Sequence, residues 1–337
     1  MLKTDHNLKE HPLISIAMTT FNGELFLVEQ IESILSQSLS SFEIVICDDC
    51  STDSTIEILK MYEKNPLFKI KYNKKNIGYV KNFEKAITLC SGDYIALCDQ
   101  DDIWENNKLK LLYENIGNNL CIHSDALLIN QEGDLLEPSF SAYSKKLIYP
   151  DSSIDLLLNG FVTGCTAMIS SNLKKDILPF PNNIDAHDRW IGLVAFMQES
   201  ITYLDEPTIK YRQHSSNNIG IPSRKDFLRL SYILEYIKSF FGKKNFTKIK
   251  NNLEQNHSLC IAHHKKFKKE LIKKNEFNKI MQLSLLLKDL AETKKIIPSL
   301  IKFTLFFRYY EKNKKLFTRL ILLVNFNLRI LTMKLFK

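Results

Sequence analysis

Gly92-Asp93-Tyr94-Ile95-Ala96-Leu97-Cys98-Asp99-Gln100-Asp101-Asp102-Ile103-Trp104 joins an apolar run to a cluster of acids. The run reads as a buried β-strand, and three carboxylates follow it within four positions. Carboxylates this close repel one another and resist burial unless a divalent metal, a basic partner or water offsets their charge. A metal bridging two phosphates is one such partner. The plainer alternative is an acidic strand-to-helix turn with Asp102 as N-cap.

Outward from this run, the first 130 residues alternate short apolar β runs with amphipathic helical segments, which predicts an α/β fold with a parallel or mostly parallel sheet covered by helices. Strands are expected at Leu13–Met18, Glu43–Cys47, Phe68–Tyr72, Tyr94–Cys98 and Leu120–Leu128. Helices are expected at Leu25–Gln37, Ser54–Glu63, Val80–Cys90 and Asn106–Ile116. Val28, Ile31, Ile34 and Leu35 recur at helical spacing and are expected to pack on the sheet. In such sheets ligands bind beyond the carboxyl ends of the strands. The unusual residues fall there: Thr19-Thr20-Phe21-Asn22, Asp48-Asp49, Asn76-Ile77-Gly78 and Asp99 to Asp102. Further on, Leu135–Ser152 reads as an irregular loop, Ile154–Leu158 as a short helix, Cys165–Ser170 as a strand, His187–Gln198 as a helix and Thr208–Gln213 as a final strand.

The 337 residues, 45% hydrophobic and 25% charged, suffice for a large domain plus a second unit. The net charge of +8 hides an asymmetry: residues 1–222 hold 19 Lys and Arg against 30 Asp and Glu, net −11, whereas residues 223–337 hold 27 against 8, net +19. The expected division is therefore an α/β domain over 1–222 and a basic, mostly helical region over 223–337. No segment approaches the roughly twenty apolar residues of a membrane span. Leu316–Lys337 mixes apolar bulk with Arg319, Arg329, Lys334 and Lys337, which fits a helix lying on an anionic membrane surface or, alternatively, a bundle packed on the first domain. The polar start, Met1 to His11, has no signal-peptide core, and seven scattered Cys read as reduced thiols, so a cytoplasmic location is expected. Cys47 and Cys50 form a Cys-x-x-Cys pair, but no second pair at zinc spacing follows.

In this order and spacing, Ile14–Asn22, Ile34-Leu35-Ser36-Gln37-Ser38, Asp48–Asp53, Asn76-Ile77-Gly78 and Asp99-Gln100-Asp101-Asp102 resemble the family 2 glycosyltransferases of the GT-A fold. His187-Asp188-Arg189-Trp190 and Tyr211–Asn218 are similar to bacterial enzymes of surface-polysaccharide assembly, many of them rhamnosyltransferases. The resemblance implies a Rossmann-like mixed sheet and an inverting, metal-dependent transfer from a nucleoside-diphosphate sugar to a lipid-linked or growing glycan, at the inner face of a bacterial membrane. Residue by residue, it places Thr19 and Phe21 against the base, Asp49 on a pyrimidine ring N–H, and Asn76 near base or ribose. Asp99 would meet the ribose or metal-bound water, while Asp101 and His214 would ligate Mn²⁺ or Mg²⁺. Asp102 would orient the loop or contact the sugar. Asp188 matches the base that takes the acceptor proton, with His187 a weaker rival. Asp48, Ser51 and Asp53 would support their loop, Asp53 chiefly as a helix cap. Asp125 and Thr163–Thr166 would line the cleft, and Arg189 and Trp190 the acceptor subsite unless Trp190 is core.

Two other classes compete. A nucleic-acid-binding protein would use the basic tail on phosphates, but no nucleic-acid motif accompanies the charge. A nucleotidyltransferase would need a glycine-rich, cationic phosphate loop where Thr19-Thr20-Phe21-Asn22 stands. Within the favoured reading, dTDP-rhamnose is the first donor expected and a UDP-sugar the second.

Overall fold

The computed structural model describes residues 13–144, 162–181, 184 and 186–214. Strand β1 (Ile14–Thr20) is buried along its whole length, as is β2 (Phe42–Asp48) beside it. Such continuous apolar runs suit strands covered on both faces. β1 pairs in parallel with β2 and with β4 (Tyr94–Cys98), and β2 in parallel with β3 (Phe68–Tyr72), in which Phe68 alone is buried. Helices α1 (Leu27–Leu35), α2 (Thr55–Tyr62) and α3 (Tyr79–Leu89) make the crossovers. The buried stripe of α1 is Leu27, Ile31 and Ile34, not the expected set: Val28 is 42% exposed and Leu35 half-buried. The row 27, 31, 34 turns Gln30 inward instead, where its amide reaches Ser33.

After the acidic turn the sheet becomes mixed. There follow β5 (Ile103–Trp104), α4 (Lys108–Ile116), β6 (Cys121–Ile129), β7 (Leu135–Glu137) and the short α5 (Phe140–Ser144). A 3₁₀ turn over Gly164–Thr166 enters β8 (Ala167–Ser170), and α6 (Lys174–Ile177), α7 (His187–Met197) and β9 (Ile201–Arg212) complete the described chain. β8 lies antiparallel between β4 and β6, while β9 runs parallel to β6 and antiparallel to β5. The order is β3-β2-β1-β4-β8-β6-β9-β5, with β7 paired to β6.

Part of the expected irregular segment after Leu135 is thus ordered. A turn closed by Asp134 N–H donating to Asn130 Oδ1 (2.7 Å) returns β7 onto β6, and Gly133 takes the positive φ (94°) the turn needs. β9 begins at Ile201 rather than Thr208, and the register between β6 and β9 slips between Ser124 and Asp125, so that Asp125 faces Pro207. The expected helix Ile154–Leu158, the boundary at residue 222 and the whole basic region 223–337 lie outside the described residues. Among the described residues no helix is long and apolar enough to cross a membrane.

Candidate active site

The carboxyl end of β2 is tied to its neighbours through two buried acids. Asp48 accepts from Thr20 Oγ1 (2.8 Å), from the Ser51 N–H (2.9 Å) and from Ser51 Oγ (2.5 Å). Ser51 Oγ in turn accepts the Asn22 N–H at 2.9 Å, so Asp48 and Ser51 hold the loop after β1. Asp49 reaches the other way: Oδ1 accepts from the Ile77 N–H and from Asn73 Nδ2, both at 2.8 Å, and Oδ2 from the Gly78 N–H at 2.9 Å. Asn76 closes the same turn, its Oδ1 accepting the Gly78 N–H at 3.0 Å, while Gly78 has φ 84°. Asp53 Oδ1 accepts the Thr55 N–H (3.0 Å) at the start of α2, and Oδ2 accepts the Glu24 N–H (3.1 Å). It caps, as expected, one residue ahead of the N-cap position. Thr19, 8% exposed, lies in register with Cys47, and Phe21 is 44% exposed at the mouth of the loop.

The acidic turn after β4 faces that loop. Gln100 clamps Phe21 in both directions, Oε1 accepting its N–H (2.8 Å) and Nε2 donating to its carbonyl (3.1 Å). Asp101 Oδ2 stands 3.0 Å from His214 Nε2, across 113 positions of sequence. Asp102 is fully buried, with Oδ1 accepting the Arg212 N–H at 3.0 Å. Ligand atoms of Asp99, Asp102 and Cys165 lie within 4.8 Å of one another. Loss of water, then the charges of Asp101 and Asp188, push the Asp99 carboxyl up to about 7. Burial, then Asp101 and Asp99, push Asp102 well above the usual carboxylate range. Behind them sits a buried cation: Lys108 Nζ donates to the Cys165 carbonyl (2.5 Å) and lies 4.1 Å from the centre of the Trp104 ring. Burial lowers its ammonium to about 8 despite the nearby acids. Oxygen and imidazole donors meet at the front of the turn, a set suited to Mn²⁺ or Mg²⁺, and a divalent ion there would displace the protons that the raised carboxyls hold.

The start of α7 meets the 3₁₀ turn at Gly164. Asp188 Oδ2 accepts the Gly164 N–H (3.1 Å) and Oδ1 the Arg189 N–H (2.7 Å). His187 is 5% exposed and stacks on Phe83 of α3 at 3.7 Å between ring centres. Burial holds its imidazole down at about 4, so it is neutral near pH 7. Trp190 is core, 1% exposed, with Nε1 donating to the Ile177 carbonyl at 3.0 Å. The Asp125 carboxylate accepts from Ser139 Oγ (2.5 Å), the Ser141 N–H (2.9 Å) and Ser141 Oγ (3.1 Å), anchoring α5. Cys47 and Cys50 are free thiols, Cys47 buried.

The family model described as glycosyl transferase family 2 matches residues 15–177. The chain carries a family 2 glycosyltransferase domain. A dTDP-rhamnosyl transferase of Shigella flexneri is 29% identical over 70% of this chain and 84% of its own length. A Bacillus subtilis protein named as a teichuronic acid biosynthesis glycosyltransferase is 29% identical over 54% of this chain and 72% of its own. Among solved structures, Staphylococcus aureus TarS in complex with UDP-GlcNAc superposes with a TM-score of 0.56 at 16% identity, covering 88% of this chain and 81% of that one. The expected α/β mixed sheet of the GT-A type is thus the fold of the family 2 domain.

Among the described residues the structure sets His214, which lies beyond the family match, against Asp101 of the acidic turn, sets Asp188 near enough to raise Asp99, and joins Asp49 to the Asn76–Gly78 turn. Sequence reasoning gave no role to Lys108, Arg212, Gln100 or Asn73. A signal existed for Lys108: with Leu109, Leu112, Tyr113 and Ile116 it falls on the buried face of α4. For Arg212 none existed beyond its place two residues before His214.

Proposed function

We propose that the enzyme is a metal-dependent inverting glycosyltransferase. It takes a sugar from a nucleoside-diphosphate donor, dTDP-rhamnose or a UDP-sugar, and gives it to a lipid-linked or growing surface glycan. The observation that carries the reading is the 3.0 Å approach of His214 Nε2 to Asp101 Oδ2 on the acidic turn. Asp101 and His214 would hold the ion, with Asp99 on the ribose or a metal-bound water. An ion held by these residues would supply Lewis-acid stabilisation of the departing diphosphate. Phe21 offers its exposed ring to the base, and Thr19 and Asn76 flank that place. Asp49, with three hydrogen bonds already made, keeps acceptor capacity on Oδ2 for a pyrimidine N–H.

Asp188 receives the proton of the acceptor hydroxyl as that oxygen attacks the anomeric carbon. The bond to the diphosphate breaks on the opposite face, and its electron pair leaves with the diphosphate. The Gly164 and Arg189 N–H groups hold the carboxylate in place. The name of the Shigella relative supports a dTDP-rhamnose donor, and that of the Bacillus relative a glycan acceptor. The +19 charge of residues 223–337 supports docking at an anionic membrane on its cytoplasmic face.

Thermal unfolding with nucleoside diphosphates and their sugars, with and without Mn²⁺, tests the reading. A uridine or thymidine diphosphate sugar should raise the unfolding temperature in a metal-dependent way, and Asp101→Asn should lose that rise. Stabilisation that ignores metal, or no nucleotide that stabilises at all, would overturn it.

A further inference from the structure

We propose that Arg212 is the positioning residue of the metal site, holding Asp101 and His214 in mutual register without touching the ion. Its side chain is 2% exposed, and its donors diverge to three parts of the domain. Nε donates to the Asp101 carbonyl (2.9 Å), Nη1 to the Gln131 carbonyl between β6 and β7 (2.7 Å), and Nη2 to Glu29 Oε2 on α1 (2.5 Å). Its backbone N–H meets Asp102 Oδ1 at 3.0 Å. The guanidinium carbon lies 4.8 Å from the centre of the Phe26 ring, and Phe26 packs on the His214 ring at 4.9 Å. One planar group thus grips the backbone of one candidate ligand and, through Phe26 and two residues of chain, sets the ring of the other.

The geometry calls for arginine. A guanidinium presents donors in a fixed fork and stays charged, whereas an ammonium is a point donor that cannot reach three acceptors in diverging directions. Partners that orient metal ligands in this way commonly matter tenfold to a hundredfold in metal affinity. Glu29, its side chain 54% exposed, is the outer anchor, so its removal loosens the clamp without emptying the core.

The inference rests on the metal reading above, and the test separates the two. Mn²⁺ is titrated into the full chain with uridine or thymidine diphosphate present, following the loss of the free-ion paramagnetic resonance signal, and diphosphate binding is measured separately in chelator. In Arg212→Lys the Mn²⁺ half-saturation should rise about tenfold, and in Glu29→Gln about two- to threefold, with metal-free binding unchanged in both. A general loosening of the fold would weaken both kinds of binding together, which is the result that refutes a positioning role. Wild-type Mn²⁺ titration in Glu29→Gln and in any folded Arg212→Lys would also overturn it. A wild-type chain that takes up no Mn²⁺ would remove the metal reading and this inference with it.

Discussion

Adding one methyl group at Gly164 should damage catalysis more than donor binding. A Cβ there would sit 2.8 Å from His187 Nε2, 3.3 Å from His187 Cε1 and 3.5 Å from Asp188 Cβ. The imidazole has little freedom to withdraw, since it is buried and stacked on Phe83 at 3.7 Å. The start of α7 must therefore shift by roughly 0.6–1 Å to restore ordinary van der Waals contact, and overpacking of this kind costs ~1–3 kcal/mol of stability. The same shift strains the 3.1 Å bond from the Gly164 N–H to Asp188. Misplacement of a reacting group by about 1 Å can cost about a hundredfold in rate, so Gly164→Ala should lower kcat by about ten- to a hundredfold. Nucleotide affinity should stay within about twofold, because Asp49, Asp101 and His214 lie on other elements. Release of nucleoside diphosphate from the donor measures the first quantity, and the thermal-unfolding titration measures the second. A folded Gly164→Ala enzyme turning over at the wild-type rate would show that Asp188 needs no such placement.

Asp101→Asn should keep the fold but abolish metal-dependent nucleotide binding, and an unchanged Mn²⁺ response would remove Asp101 from the ion. Asp188→Asn should bind donor normally and lose the chemical step, about a hundred- to ten-thousandfold for a general base; full turnover in that variant would end its candidacy. His187 carries a pH signature. Its folded value of about 4 lies below the unfolded 6.5, so the unfolded chain binds the extra proton between them and stability falls as pH drops through that window, by ~3 kcal/mol. Asp99, raised to about 7, acts with the opposite sign, so urea unfolding of wild type should be compared with His187→Gln. Parallel stability curves from pH 6.5 to 4 would contradict the burial argument.

The first half of the sheet was legible because β1 and β2 are buried end to end and read as plain apolar runs. β5 was not, since two residues, Ile103 and Trp104, leave no periodicity and exist as a strand only through pairing with β9. The early part of β9 was hidden by exposed Asp205 and Glu206 ahead of Pro207, residues that read locally as a turn. At the site, the acids and His214 stood out by type and by family likeness, whereas the anchoring of α5 by Asp125 was not legible, because a carboxylate that holds two serines carries no mark of it in sequence. Lys108 and Arg212 were overlooked for a common reason. Long cationic side chains are ordinarily solvated, and burial is a property of the folded chain.

The pairing of Asp101 with His214 also has a temporal side. The acidic turn and the imidazole are separated by 113 positions, and the imidazole follows directly on β9, which must lie down between β6 and β5 to deliver it. On the ribosome, the acids would emerge long before their nitrogen partner. Under the proposed roles, a nascent chain halted at α4 holds the acids without Asp188 or His214. The proposed ion site and the proposed base are then both present only once β9 has been made.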